Sequence, residues 1–405
     1  MIKLFKFHNS LAIMIAAATC MAAMLPATAG PIKVYILAGQ SNMQGHANIS
    51  TVDSMADDPI TAPILKEMRQ PDGSFKTCQK VWIASVGCAG NGYSDVIEQK
   101  GKLTAGFGAS PSEIGPEYTF GLYMEKLTHE PILIIKTSWG GRNLHTDFRP
   151  PSAGPEQIGD YMLEQWRQRK LNADEETAKI RNNGSVFYRE MITYVKKVLA
   201  DIPRVMPGYD PKLGYKLAGF VWFQGFNDLV DDWTYHDRRK PGGYDEYARL
   251  MTMLIKDVRK DLSVPDLPVV VGVMGIGGLK EDQRPPQCYF RQAQAAPATL
   301  REFKGRVKAV QTARFWDDDL EALQARMDRF NDSMNREFKK DPALTREARD
   351  AKYSKAKSEA FPPEELKRLK GISNGGYHYM GAAKILAPIG KAFAEGMLEL
   401  QKHKR

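Results

Sequence analysis

The sequence predicts an α/β protein in which a mostly parallel central sheet lies between two layers of helices. The first observation is a set of short, continuously apolar segments rich in β-branched residues, typical of strands buried on both faces. The second is that segments with helical spacing separate these strands, which favours parallel connections. The third is that several of the strands end in small and polar residues, at the edge where open α/β sheets bind ligands.

The strand signal is clearest in residues 131–137, where a continuous apolar run follows the proline, as in a strand of a parallel sheet covered on both faces. The first strand begins near Val34 and breaks at Gly39. Further strands are predicted at residues 80–84, 217–223, 267–273 and 307–312. Between them we expect a polar loop with one short helix at 44–80, an irregular glycine-rich segment at 87–112 and a polar connection at 147–183.

Helical spacing predicts four long helices, at residues 116–127, 186–199, 244–262 and about 380–400. Pro116 suits the first turn of a helix, and Glu117 beside it is interpreted as a helix-start residue favoured by the helix dipole. Residues 317–370 are densely charged and helix-prone, with prolines as breaks. We interpret them as a surface insertion, with a disordered segment as the alternative.

The first 29 residues have the three parts of a secretory signal peptide. Two lysines form a positive start, residues 11–25 form an apolar centre, and small residues precede a cut before Gly30. A membrane anchor is the alternative, but the apolar part is short for a bilayer span. The sequence therefore predicts a secreted or periplasmic protein with one elaborated domain, residues 30–405.

Charge and cysteine content exclude few classes of partner. The formal charge is +9 over 405 residues, but it is spread along the chain without a basic run interleaved with aromatic residues. Nucleic acid is therefore not expected as a partner, and no later segment is apolar enough to span a membrane. Cys78 and Cys88 could form a disulfide, which would leave Cys288 unpaired, or the thiols could be buried and reduced. No Cys/His cluster has metal-ligand spacing.

Four separate strand ends or loops carry residues suited to acyl transfer. Ser41 follows the first strand and could act as a nucleophile, and His378, in a glycine-rich loop, could act as its base. Gly140 or Gly141 could present an unobstructed backbone N–H, and Asn227 could donate from its side-chain amide. Fixed donors of this kind stabilise the oxyanion that develops during attack on an ester.

These four blocks, in this order, resemble those of the SGNH hydrolases, which are named after a Ser, Gly, Asn and His in successive blocks. The GQSNM form of the first block, together with the later WFQG, is similar to the sialate O-acetylesterase and acetylxylan-type carbohydrate esterase branch. The resemblance spans about residues 30–393, apart from the insertion. The blocks are residues 39–43 (GQSNM), 140–141 (GG), 225–228 (GFND) and His378.

The resemblance implies a flavodoxin-like SGNH sandwich and ester hydrolysis through an acyl-enzyme, without metal or cofactor. Ser41 would be the nucleophile, and its own N–H would join the oxyanion hole. Gly140 or Gly141 would give a second N–H, and Asn227 a side-chain donor. His378 would be the general base and then the acid for the leaving alcohol.

One position departs from the family pattern. In much of the family an aspartate lies three residues before the histidine and orients it. Here Gly375 occupies that position, with Asn374 before it. Three explanations compete: a Ser-His dyad steadied by a backbone carbonyl, an acid supplied from elsewhere by Asp228 or Asp95, or a weakened or lost esterase.

Residues beside the blocks are candidates for substrate binding. Gln40 and Gln224 could bind substrate hydroxyls or could orient the loops. Arg142 and His145 could read a sugar or an acidic group, the alternative being a solvated loop held by local ion pairs. His46 is interpreted as an ordinary loop histidine.

The function that the sequence favours is a secreted serine esterase that removes acetyl or similar acyl groups from carbohydrates. An acylated carbohydrate is therefore the expected partner. Two alternatives stay open: a catalytically silent carbohydrate-binding protein on the same fold, and a hydrolase of the same family that acts on lipid or thioester substrates.

Overall fold

The computed structural model describes residues 30–88 and 96–402, which form nine strands and thirteen α-helices. The strands are β1 (Ile32–Gly39), β2 (Ala47–Asn48), β3 (Val81–Cys88), β4 (Val96–Lys102), β5 (Glu113–Ile114), β6 (Ile132–Ser138), β7 (Tyr215–Phe223), β8 (Val269–Val273) and β9 (Val307–Gln311).

Helices occupy most of the connections between strands, and short 3-10 turns supply many of the others. The α-helices are α1 (Ser41–Gln44), α2 (Ala62–Met68), α3 (Pro116–Thr128), α4 (Asp160–Gln168), α5 (Ala173–Asn183), α6 (Val186–Ala200), α7 (Phe226–Val230), α8 (Asp245–Asp261), α9 (Gln287–Ala295), α10 (Asp318–Lys340), α11 (Arg346–Ala360), α12 (Pro363–Leu369) and α13 (Ala383–Lys402).

Seven of the strands form one sheet in the order β4-β3-β6-β1-β7-β8-β9. Neighbouring strands are parallel except for β4, which pairs antiparallel with β3 at one edge. The last residue of β1, Gly39, lies in register with Ser138 of β6 and Phe223 of β7. The polar segments that follow these three strands therefore meet at one edge of the sheet, as expected for parallel strands.

Both faces of the sheet are covered by helices. Successive side chains of a strand point to opposite faces, so each strand contributes residues to two separate cores. From β1, Val34, Ile36 and Ala38 enter the apolar core that contains residues of α6 and α8. Tyr35 and Leu37 enter a second core, which contains residues of α3 and α13. The predicted three-layer α/β/α sandwich with a mostly parallel sheet is confirmed.

Two predictions about local structure are wrong, and one helix was not predicted. The segment 87–112, expected to be irregular, contains β4, an edge strand whose Glu98, Lys100 and Lys102 suit an exposed edge. The polar connection at 147–183 contains α4 and α5, and α5 has no buried residue. Helix α9 was not predicted at all.

The charged segment 317–370 is helical, so the alternative of a disordered segment is wrong. Helix α10 buries Leu320, Leu323 and Met334, whereas α11 and α12 bury no residue. The apolar contacts of the segment with the rest of the protein are thus concentrated in α10, and its other two helices lie at the surface.

Cys78 and Cys288 are free thiols and both are buried. The disulfide between Cys78 and Cys88 that the sequence left open is therefore not formed. Burial raises the pKa of the Cys78 thiol well above its usual range. The signal-peptide prediction and Asp95 lie outside the described residues. In the part of the chain that is described, no helix combines the length and apolar character needed to cross a membrane.

Candidate active site

Ser41 lies at the carboxyl edge of the central strand, directly after a backbone contact that only glycine allows. A Cβ built on Gly39 would lie 2.1 Å from the carbonyl oxygen of Phe223, and the φ of Gly39 is +155°. This close approach brings β1 and β7 together at their ends. The chain then turns into α1, and Ser41, its first residue, is 5% exposed.

The side chain of Gln40 connects the loops that follow β1 and β7. Its Oε1 accepts hydrogen bonds from the N–H of Gly225 (3.0 Å) and from Nε2 of Gln224 (3.2 Å). Its Nε2 donates to Oδ1 of Asn227 (2.9 Å) and lies 3.5 Å from Oγ of Ser41. Both ends of this buried amide are therefore engaged by the protein, which favours an orienting role over substrate binding.

Gln224 is equally buried and engaged. Its Nε2 donates to Oδ2 of Asp228 (2.6 Å) and to the carbonyl oxygen of Arg142 (3.0 Å), and its Oε1 accepts from the hydroxyl of Tyr247 (3.1 Å). These contacts also favour the orienting alternative over a contact with substrate hydroxyls.

Gly140, rather than Gly141, faces the serine. A Cβ built on Gly140 would lie 3.9 Å from the Cβ of Ser41, whereas one built on Gly141 would meet nothing within 4 Å. Within the described residues, the backbone N–H groups of Ser41 and Gly140 donate to no acceptor. Oδ1 of Asn227 accepts from Gln40, and its Nδ2 has no acceptor among the described residues. Three donors close to the serine are thus left for a ligand.

His378 lies in a tight turn, Gly376–Gly381. The two residues that follow His378 adopt left-handed backbone conformations, with φ of 52° at Tyr379 and 59° at Met380. Such conformations are strained for non-glycine residues and persist only where the surroundings impose them. The buried hydroxyl of Tyr379 accepts from the N–H of Gly275 and pairs with Oγ1 of Thr312, each at 2.8 Å. The turn is therefore fixed to the segments that follow β8 and β9.

The orienting partner of His378 is the side chain of Asn374. The Nδ1 of His378 lies 3.1 Å from Oδ1 of Asn374, and the same oxygen accepts from the N–H of Gly375 at 2.8 Å. An amide oxygen can only accept, so Nδ1 carries the proton and Nε2 is left as the basic nitrogen. The backbone-carbonyl dyad proposed from the sequence is therefore wrong, since the acceptor is a side-chain amide.

The turn that carries His378 packs against α1, the helix that begins with Ser41. Among the described residues, His378 and Ser41 do not form a hydrogen bond with each other; the nearest polar partner of the Ser41 hydroxyl is Gln40, at 3.5 Å. Catalytic hydrogen bonds in unliganded enzymes are often long or absent and form when substrate binds. The structure thus brings the serine, glycine, asparagine and histidine blocks to one edge of the sheet.

Asp228 does not orient His378, so this alternative is wrong. Its fully buried carboxylate accepts from the N–H of Leu144 (2.9 Å) and the hydroxyl of Tyr235 (3.1 Å), and it lies 3.3 Å from Nδ1 of His145. It therefore fixes the loop that begins at Gly140.

His145 is buried and its two ring nitrogens contact the protein. Burial lowers its pKa, but the hydrogen bond to Asp228 and the nearby carboxylates outweigh this and raise the pKa to about 9. It lines a cavity of about 470 Å³ together with Trp233. Arg142 stacks on the ring of Phe187, 4.5 Å from its centroid. The loop is thus largely buried rather than solvated, and its role in substrate binding stays a prediction.

No pattern in the sequence predicts that the ring of His46 contacts that of His378. The ring of His46 stacks on that of His378, with centroids 4.1 Å apart and planes 10° from parallel. Nδ1 of His46 lies 3.5 Å from Oε1 of Glu113. Burial and the charge of His46 lower the pKa of His378 to about 4, although Glu113 opposes this. No sequence spacing indicates the contact between His46 and Glu113, because the two residues meet through the pairing of β2 with β5.

A buried ion pair supports α1, the short helix that begins with Ser41. Nζ of Lys136 lies 2.8 Å from Oε2 of Glu117, and neither side chain is exposed. The same ammonium donates to the carbonyl oxygens of Gln44 (2.6 Å) and Phe107 (2.7 Å). Glu117 is therefore more than the helix-start residue predicted. Nowhere in residues 30–88 and 96–402 do three His, Cys, Asp or Glu side chains gather as metal ligands would.

A model of a known protein family matches most of the chain. The family model described as "Carbohydrate esterase, sialic acid-specific acetylesterase" matches residues 31–326, a range that holds Ser41, Gly140 and Asn227 and ends before His378. None of the curated proteins matches this chain.

Two solved structures are similar to this one at low identity. A protein from Arabidopsis thaliana is 18% identical, with a TM-score of 0.39 over 70% of this chain and 86% of that chain. A carbohydrate acetylesterase from Xanthomonas citri is 14% identical, with a TM-score of 0.38 over 70% of this chain and 51% of that chain. Since the family model covers well over half of its residues, the chain belongs to the sialic acid-specific acetylesterase family of carbohydrate esterases and is a carboxylic ester hydrolase.

Proposed function

We propose that this chain removes acetyl groups from carbohydrates through an acyl-enzyme formed on Ser41, with His378 as the general base. The observation that carries the proposal is the arrangement around Ser41. Gly140 lies against the serine and its N–H donates to no acceptor among the described residues, Asn227 is joined to Ser41 through Gln40, and the turn of His378 packs against the helix that begins with Ser41. Nucleophile, base and oxyanion donors are the groups that acyl transfer requires.

In the first half of the reaction, Oγ of Ser41 attacks the ester carbonyl carbon and its proton passes to Nε2 of His378. Rotation about χ1 of Ser41 moves the hydroxyl from Gln40 towards the imidazole. The carbonyl oxygen becomes an oxyanion that accepts from the N–H groups of Ser41 and Gly140 and from Nδ2 of Asn227. Collapse of this intermediate breaks the bond to the sugar oxygen, which takes the proton from His378 as it leaves.

In the second half, water attacks the acetyl-serine carbonyl and gives a proton to Nε2 of His378. The same three donors hold the second oxyanion. When it collapses, Oγ of Ser41 recovers the proton from His378, and acetic acid leaves and ionises to acetate in the solvent. The neutral His378 that this cycle needs is supported by the burial that lowers its pKa to about 4.

An exposed tyrosine beside the proposed base suits a sugar ring. Tyr377 is 49% exposed, and its ring centroid lies 4.4 Å from that of His378 and 6.0 Å from that of the partly buried Phe226. Aromatic faces stack on the apolar faces of pyranose rings, and the phenol hydroxyl offers a hydrogen bond. We infer that the sugar leaving group lies over Tyr377.

The silent binding protein is disfavoured as an alternative, because Asn374 fixes the ring of His378 although the family aspartate is absent. No contact in the described residues specifically favours a lipid or thioester substrate.

Replacement of Ser41 by alanine tests the proposal. We expect Ser41→Ala to lose hydrolysis of 4-nitrophenyl acetate and of acetylated xylo-oligosaccharides, and to lose labelling by a serine-directed phosphonate. The matched control is Ser138→Ala at the end of the neighbouring strand, since its buried Oγ has no partner among the described residues. Full activity of pure Ser41→Ala protein would refute the assignment. A preference for long acyl chains over acetylated sugars would refute the substrate class.

We also propose that the chain is exported and that residues 1–29 are removed. Expression of the full chain should give a periplasmic or extracellular protein whose intact mass corresponds to a start at Gly30. An unprocessed chain retained in the cytoplasm would contradict export.

A further inference from the structure

The partner of His378 carries no charge. In a Ser-His-Asp triad the carboxylate has two tasks: it orients the imidazole, and it stabilises the imidazolium that forms when the serine loses its proton. Oδ1 of Asn374 accepts from Nδ1 of His378 at 3.1 Å and so performs the first task. An amide cannot perform the second, because it brings no negative charge to the ring.

A carboxylate does lie close by, on the other side of a stacked ring. The rings of His46 and His378 are parallel within 10°, with centroids 4.1 Å apart, and Nδ1 of His46 is 3.5 Å from Oε1 of Glu113. The side chains of His46 and Glu113 are only 19% and 18% exposed, so solvent screens their charges less than at an open surface.

The backbone holds this arrangement in place. His46 directly precedes β2, in which Asn48 pairs with Glu113 of β5. The side chain of Ser373, one residue before Asn374, accepts from the N–H of Asn48 at 3.0 Å and lies 3.3 Å from the carbonyl oxygen of His46. The two-stranded β2–β5 ladder that carries the carboxylate is therefore hydrogen-bonded to the segment that carries the proposed base.

We propose that the two tasks of the triad acid are divided in this chain: Asn374 orients His378, and Glu113, acting through the stacked His46, supplies the negative charge. Both residues are positioning residues, because neither touches the ester. The proposal rests on the esterase mechanism proposed above, and it explains how the chain can act without the aspartate expected at Gly375.

Of the two charges that act on His378, that of Glu113 favours the protonated ring, whereas that of His46 opposes it more strongly. Burial lowers the pKa of His378 most, the charge of His46 lowers it further, and Glu113 raises it. Burial also raises the pKa of Glu113, but its interactions with His46 and Ser110 outweigh this and hold that carboxyl below its usual range, hence ionised. Since Glu113 is ionised, the His46–Glu113 pair carries a net charge of zero or minus one and never an uncompensated positive charge.

Three other titratable groups lie on the turn and on the helix packed beside it, and none of them supplies a charge to His378. Tyr379 is buried and hydrogen-bonded to Gly275 and Thr312. Lys384 of α13 is paired with Asp317 at 2.6 Å. Tyr377 contacts His378 through the faces and edges of the two rings. None of the three is among the groups whose charges alter the pKa of His378.

The test compares kcat and its pH dependence in four proteins: wild type, Glu113→Gln, Asn374→Asp and the double variant. Glu113→Gln should lower kcat about tenfold with KM unchanged, because the imidazolium loses its counter-charge. Asn374→Asp restores a carboxylate next to the ring, so the acidic limb should move to higher pH. In that background Glu113→Gln should have less than a threefold effect. The control is Glu130→Gln, at the opposite edge of the sheet beside the start of β6.

A second measurement separates this proposal from the esterase mechanism. In folded Ser41→Ala protein, NMR titration of the His378 ring should show a lower pKa when Glu113→Gln is added. If Ser41→Ala abolishes activity but Glu113→Gln changes neither kcat nor this titration, the division of tasks is wrong and the esterase stands. If Ser41→Ala remains active, the esterase mechanism itself is wrong, and an unshifted titration would still refute the role of Glu113.

Discussion

Replacement of Lys136 by methionine should be among the most destabilising substitutions in the protein. Methionine has nearly the shape of lysine without the ammonium, so the change removes the charge and leaves the packing almost intact. It leaves Glu117 as a fully buried carboxylate without its counter-charge, and the carbonyl oxygens of Gln44 and Phe107 without a donor.

The magnitude follows from these three losses. Breaking a buried ion pair by removing one partner costs about 3–5 kcal/mol. Each buried carbonyl left without a donor costs roughly 1–3 kcal/mol, although neighbouring terms do not add fully. We expect Lys136→Met to lower the free energy of unfolding by about 5 kcal/mol, a large part of the 5–15 kcal/mol typical of a domain.

Urea unfolding followed by tryptophan fluorescence gives the measurement, with linear extrapolation to water. Adding Glu117→Gln should recover about 2 kcal/mol or more, because the uncompensated charge is then gone while the bond from the N–H of Gly115 can be kept. Lys33→Met is the matched control: Lys33 pairs with the half-exposed Glu130 at 3.3 Å and should cost no more than about 1 kcal/mol. Equal midpoint shifts for Lys136→Met and Lys33→Met would refute the reasoning.

Three further predictions concern the site and its support. Asn227→Ala should lower kcat by about 10²–10³ with intact folding, through loss of an oxyanion donor worth about 2.7–4 kcal/mol; an unchanged kcat in steady-state assays would exclude that role. The raised pKa of His145, about 9, contributes roughly 3 kcal/mol of stability that is fully present below pH 6.5 and lost as the pH rises through 9. Urea midpoints at pH 6 and pH 10 should therefore differ less in His145→Asn than in wild type. Tyr379→Phe removes two buried hydrogen bonds, to Thr312 and a backbone N–H, and should lower stability by about 1–3 kcal/mol in urea and slow turnover; wild-type values for both would contradict the anchoring role.

Residue patterns predicted the architecture because its strands are strongly apolar. The central strand, β1, alternates its side chains between two cores and has almost no polar residue to confuse the pattern. Edge strand β4 and helix α5 were missed because neither buries an apolar face. A signal for α5 existed: Asn172, followed by three acidic residues, caps the helix by accepting from the N–H groups of Asp174 and Glu175.

The blocks that carry the proposed chemistry were visible in the sequence because each follows a strand or precedes a helix. The groups around the base were not. Asn374 reaches Nδ1 of His378 through the curl of a tight turn, and His46 reaches the same ring from more than three hundred residues away. Contacts between distant segments depend on the packed fold, so spacing alone cannot reveal them.

The hydrogen bonds of Tyr379 make the position of His378 depend on strands that are distant from it in the chain. The residue next to the base is fastened to the segments after β8 and β9, whereas the serine follows β1. The separation of the proposed nucleophile and base therefore depends on the strand spacing across β7 and β8 as well as on the direct packing of the turn against α1. Substitutions that widen the strand spacing there would slow acyl transfer while every residue of the catalytic cleft stayed wild type.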